Sequence, residues 1–199
     1  LATITPTDRE LADRAVMAGA DPVANPPLVC REGSITICLH QIDARDLDQA
    51  SRAVDALLGP IQGLPGVPSR IEMRADLPSE PGVLRMNLAG YEVDADQLSH
   101  KVLPAIFDPA REGAPMTAAE QAIAAWLMRD LDQLVDAGFL LPPAPGGVPA
   151  TDVEIEAWKA EIFAAADRFA ALSPEEQRAW LDANWDALRL GTLTLEDLP

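Results

Sequence analysis

Ser34-Ile-Thr-Ile-Cys-Leu-His-Gln41, and the run that follows it to Leu58, decide how this chain folds. Apolar and polar residues alternate with period two: Ile35, Ile37 and Leu39 share one face, and Thr36, Cys38 and His40 the other. Such alternation predicts a strand with one buried side. Leu47, Ala50, Val54, Leu57 and Leu58 then recur at helical spacing. Asp43 stands where an N-cap belongs, and Gly59-Pro60 where the helix must stop. A strand leading into an amphipathic helix requires further strands beside it and a shared core beneath the helix.

Upstream, Leu28–Cys30 reads as a short strand turned back by Glu32-Gly33 into a hairpin. With those two residues at the centre of the turn, Cys30 falls opposite Ile35 and Cys38 lies nearer Pro27. A disulfide needs Cα atoms within about 7 Å, so this register predicts two free thiols. Before the hairpin, Thr7–Ala18 carries a short helical pattern closed by Gly19, and residues 21–27 form a turn-rich link.

Downstream, Gly59–Ser69 is a Pro- and Gly-rich loop. Arg70–Leu77 places Ile71, Met73, Ala75 and Leu77 on one face and charges on the other, the pattern of an antiparallel strand with a solvated side. Pro78–Gly82 turns the chain, and Val83–Leu88 is expected to return as the second strand of a hairpin. Asp94 and Gln97 open a helix with Leu98, Val102 and Ile106, which Pro104 should kink or end. The order strand–helix–strand–strand–helix resembles one half of a ferredoxin-like arrangement.

Residues 108–116 break the pattern, and three helices follow. Thr117-Ala-Ala-Glu120, Thr151-Asp-Val-Glu154 and Ser173-Pro-Glu-Glu176 are capping boxes. The first helix is read to Ala137 with Gly138 as its cap, and Gly191 closes the last. The chain is therefore read as α+β. Residues 1–27 form an N-terminal helix and link. Residues 28–107 form a small, mainly antiparallel sheet with helices on one face. Residues 108–199 form a three-helix part with a Pro/Gly-rich arm at 139–150.

Composition bounds the function. The 199 residues are 48% hydrophobic, enough for a substantial core, and carry a formal net charge of −17. Nucleic-acid and anionic-membrane binding need clustered Lys and Arg, so neither is expected. Met128–Leu141 resembles locally the last helix and first wing strand of a winged-helix DNA-binding domain. Asp130, Asp132 and Asp136 would there face phosphates with only Arg129 to offset them. No apolar run approaches the ~20 residues of a membrane helix, and Leu1–Pro6 lacks the basic start of a signal peptide. Cytoplasm is the expected location.

Chemistry is sparse. Cys38 and His40 form the one close Cys–His pair, with Asp43 just beyond, where ligands gather at strand ends in α/β folds. A nucleophile needs a base and an orienting group, and a zinc site needs three or four ligands. Cys30 and His100 are the remaining cysteine and histidine, at no metal-ligand spacing, so no metal and no cofactor are expected. Phosphate cradles and the common hydrolase motifs are missing from the sequence.

All four tryptophans, Trp126, Trp158, Trp180 and Trp185, lie in the last three helical segments. Trp180 and Trp185 sit about 140° apart on a helical wheel, too far for one ordinary apolar stripe. Trp185 aligns with Leu181 and Leu188, and Trp180 with Ala183 and Ala187. The first set suits the core. Trp180, Ala183 and Ala187 are the candidate partner-binding residues, Trp being favoured at binding hot spots. The preferred reading is a non-enzymatic adaptor, regulatory or assembly protein that binds a protein partner or itself. The alternatives are an enzyme or ligand-binding site around Cys38, His40 and Asp43, and an acidic DNA mimic.

Overall fold

The computed structural model describes residues 28–40, 46–73, 80–86, 95–107, 116–129 and 150–199. The expected helix at Thr7–Ala18, Asp43, the link at 108–115, the continuation of the helix past Arg129 and nearly all of the 139–150 arm lie outside them. The α+β class stands. Strands β1 (Leu28–Arg31), β2 (Thr36–His40), β3 (Arg70–Glu72) and β4 (Val83–Arg85) form one sheet in the order β1-β2-β3-β4. The described helices are α1 (Leu47–Leu58), α2 (Ala95–Phe107), α3 (Ala118–Met128), α4 (Asp152–Ala170) and α5 (Pro174–Arg189). Single turns of 3₁₀ helix occur at Gly59–Ile61 and Leu195–Asp197.

The apolar face of β2 is buried as its alternation predicts, but the other face is not solvated: Cys38 on it is fully buried. Ile35, Ile37 and Leu39 are fully buried against α1, which contributes Leu47, Ala50, Val54, Leu57 and Leu58 to the same core. Asp46, not Asp43, occupies the N-cap position of α1, without a side-chain capping bond. The chain closes tightly between β1 and β2. Ser34 N–H donates to the Asp55 carboxylate at 3.0 Å. A Cβ on Gly33 would stand 2.8 Å from that same carboxylate, so a side chain there would push Asp55 aside.

Two expectations are corrected. First, the sheet is mixed. β1 and β2 are antiparallel, but β3 runs parallel to β2, with α1 as the crossover, and β4 runs parallel to β3. The expected antiparallel hairpin of Arg70–Leu77 with Val83–Leu88 does not form. Alternation fixes which side chains share a face, and this part was read correctly: Ile71, Met73 and Met86 are buried and Leu84 packs beside them. It does not fix the direction of the neighbouring strand. Parallel pairing also excludes the ferredoxin-like half.

Second, the cysteines are bonded. The hairpin register pairs Leu28 with His40, Cys30 with Cys38 and Arg31 with Ile37. Five residues, Glu32 to Thr36, connect the last paired positions instead of a two-residue turn. Cys30 and Cys38 thus stand directly opposite one another, their Cα atoms 4.0 Å apart, and are joined by a disulfide. The expectation of two free thiols came from placing the turn wrongly.

The sheet and the C-terminal helices share one continuous core. It runs from Ile35 and Ile71 through Leu103 and Phe107 to Trp126, Phe169, Leu181, Trp185 and Leu188. Helix α2 holds Pro104 within it and runs on to Phe107. All three capping boxes form. Among the described residues no helix is long and apolar enough to cross a membrane.

The cap of α5 carries a testable consequence. Ser173 Oγ accepts from Glu176 N–H at 3.3 Å, and the Glu176 carboxylate accepts from Ser173 N–H at 2.9 Å. The backbone bond first, then the Ser173 hydroxyl, hold the Glu176 carboxyl below its ordinary range. A depressed folded-state value means that the cap's contribution is present above the unfolded carboxyl range and lost as pH falls through the folded one. Ser173→Ala should lower stability by about 1 kcal/mol. It should also move the Glu176 titration, followed by NMR, up toward that of an ordinary glutamate.

Candidate functional site

Helix α5 has two apolar faces. The inner one carries Leu181, Trp185 and Leu188, all at most 1% exposed. Trp185 stacks at a tilt on Phe107, ring centroids 5.8 Å apart, and its indole N–H donates to the Pro65 carbonyl at 2.7 Å. Arg189 donates to the same carbonyl at 3.1 Å and to the Ile106 carbonyl at 3.0 Å. Gly66, at φ +80°, clears the space: a Cβ there would lie 2.5 Å from the Arg189 guanidinium. Arg178 adds a bond to the Gln62 carbonyl at 2.8 Å. The loop read only as Pro- and Gly-rich is therefore the seat of α5.

The outer face carries the candidate partner-binding residues. Ala183 is exposed, and Ala187 and Trp180 are half-buried. Trp180 does not stand free. Its ring packs edge-on against Phe169 at 5.3 Å, and Phe169 packs edge-on against Trp126 at 4.8 Å. One residue of this face was missed. Leu190, the C-cap of α5, is 72% exposed and extends the row one turn further. Trp180, Ala183, Ala187 and Leu190 follow a 3-4-3 spacing, which places them on one seam. The spacing was legible in the sequence. Leu190 stands directly before Gly191, at the C-cap of the helix. Exposed Asp182 and Asp186 border the seam.

The other candidate residues separate. Cys38 is fully buried and bonded to Cys30, so in this state it is neither nucleophile nor ligand. His40 pairs with Leu28, and its Nδ1 has no hydrogen-bond partner among the described residues. Asp43 lies outside the described residues, and His100 lies in α2, away in sequence from the strands. Among the described residues no group of three or more His, Cys, Asp or Glu could hold a metal ion.

Two further surfaces lie apart from α5 among the described residues. A groove of about 850 Å³ runs between α4 and the C-terminal tail, lined by Met116, Trp158, Ala164, Arg168, Leu193 and Leu195 among others. The Trp158 indole N–H beside it is satisfied by Gln121 Oε1 at 2.9 Å. On the sheet face away from α1, one row crosses all four strands: Cys30, Cys38, Glu72 and Arg85. Glu72 is 5% exposed and sits between Arg70, 2.9 Å away, and Arg85, 2.8 Å away. Glu80 at 2.7 Å completes the set on Arg85.

No protein-family model matches the chain, and neither curated proteins nor solved structures show a significant match to it.

The two faces of α5 should answer differently to truncation. Trp185→Ala empties a large aromatic site and should cost ~3–5 kcal/mol. Trp180→Ala removes a half-exposed ring and one edge-on contact, and should cost about 1–2 kcal/mol. Urea melts of both variants check this. Equal costs would mean that the outer face is as much core as the inner one.

Proposed function

We propose that this protein is a non-enzymatic interaction protein that docks a partner helix along the outer seam of α5. The observation that carries the reading is Leu190, a large apolar side chain 72% exposed on the same row as Trp180, Ala183 and Ala187. An apolar row at seam spacing is how a helix presents itself to a second helix. Its small alanines would let the partner come close between two larger anchors. The chain's net charge of −17 and the bordering Asp182 and Asp186 favour a partner with Lys or Arg flanking its own apolar stripe. The same charge disfavours self-pairing by repulsion.

The location belongs to this reading as well. A cytoplasmic setting is compatible with the Cys30–Cys38 bond where that bond opens and closes, because cytosolic thiols are kept reduced. A bond held permanently closed suits an oxidising compartment.

The seam is tested by substitutions that spare the fold. Ala183→Glu and Leu190→Gln change exposed positions, where stability should move by less than about 0.5 kcal/mol. Each should abolish or weaken by about tenfold or more the binding of a basic amphipathic helix presented as a labelled peptide, measured by fluorescence anisotropy. Unchanged binding in both variants would remove the seam as the docking face. Concentration-dependent dimers in the parent protein, lost in Leu190→Gln, would replace the basic partner with a second copy of the chain.

A further inference from the structure

The two cysteines of the disulfide differ in exposure. Cys30 is exposed on the edge strand β1, whereas Cys38, its cross-strand neighbour, is fully buried on β2. One sulfur of the pair is therefore open to an attacking thiol and the other is not. Arg70, on β3, reaches across the same sheet face and places Nη2 3.6 Å from the Cys30 sulfur. A cation in that position favours the thiolate over the thiol. The Arg70 side chain is itself positioned by Glu72, which Arg85 holds from the far side. Ile37 and Leu39 on β2 are buried on the opposite face of the sheet, against α1, so the core contacts of β2 do not run through the sulfurs.

We propose that Cys30–Cys38 is a thiol–disulfide exchange site for low-molecular-weight thiols, with Cys30 as the sulfur that forms the mixed disulfide and Cys38 as the resolving sulfur. A thiolate attacks the Cys30 sulfur. The bond between the two protein sulfurs breaks, its electron pair goes to Cys38, and Cys38 takes a proton. A second thiolate then attacks the outer sulfur of the mixed disulfide. The small disulfide leaves, and Cys30 departs as a thiolate beside Arg70. The protein gains two electrons, and two small thiols become one disulfide. In the reverse direction Cys30 thiolate attacks a small disulfide, and Cys38 displaces the adduct to close the ring. Arg70 is a positioning residue that acts on the charge state of Cys30.

Among the described residues, the charged and titratable groups on this face are Arg70 and Glu72 on β3, Arg85 on β4, Glu80 before it and His40 on β2. Arg70 is the cation placed beside the exposed sulfur, so it is the one to alter. The test uses the full chain in glutathione buffers at neutral pH without denaturant. Folding is followed by tryptophan fluorescence, and the thiols are trapped by alkylation and located by mass spectrometry. The expected result is reduction while the protein stays folded, with glutathione attached to Cys30. Cys38→Ser should trap that adduct, whereas Cys30→Ser should accumulate none on Cys38. In the reduced protein, Arg70→Gln should move the pH midpoint of Cys30 alkylation up by about one pH unit, and Arg70→Lys should restore most of it. Reduction only on unfolding, adducts spread equally over both cysteines, or an unmoved midpoint in Arg70→Gln would each overturn the proposal.

Discussion

The Trp185 indole donates its N–H to the Pro65 carbonyl at 2.7 Å, and much of the architecture depends on that contact being made. Pro65 belongs to the loop that leaves the strand–helix unit, and Trp185 belongs to the last helix, 120 residues later. A large ring with one polar atom must find both a cavity and an acceptor when buried. Phe107 supplies part of the first, and the Pro65 carbonyl supplies the second. Arg189 shares the acceptor and fits beside Gly66. The sheet and the helices thereby close over a single core, and α5 is fixed in rotation about its own axis.

That fixed rotation is what gives the outer seam meaning. With Leu181, Trp185 and Leu188 turned in, Ala183 and Leu190 must turn out, and Trp180 is left at the boundary on Phe169. The same constraint separates the two candidate activities in space. The seam lies on the last helix, whereas the exchangeable sulfurs lie on the edge of the sheet, on the face away from α1. The groove beside Trp158 is a third surface, and the indole N–H there already donates to Gln121 within the fold.

Much of this was legible in the sequence where the signal is local. The period of β2, the stripe of α1 and the three capping boxes at Thr117, Thr151 and Ser173 all depend on residues within a few positions of each other. So does the two-faced character of α5. What was not legible depends on partners distant in sequence or on turn length. Alternation in Arg70–Leu77 and Val83–Leu88 sets faces correctly but leaves strand direction open, and the strands run parallel. A hairpin loop of five residues in place of two shifts the register by three, and that shift alone turned two supposedly free cysteines into neighbours. The role of Pro65 had no sequence signal, because a backbone carbonyl carries none.

The central claim is that Trp185 makes one cooperative body of the sheet and the helices. Amide hydrogen exchange of the intact protein across a denaturant series tests it most directly. The account predicts that the amides of residues 37–39 in β2 and of residues 181–188 in α5 exchange through the same opening, at the free energy of global unfolding. Exchange of 181–188 through a separate opening about 2 kcal/mol or more below that of 37–39 would contradict it.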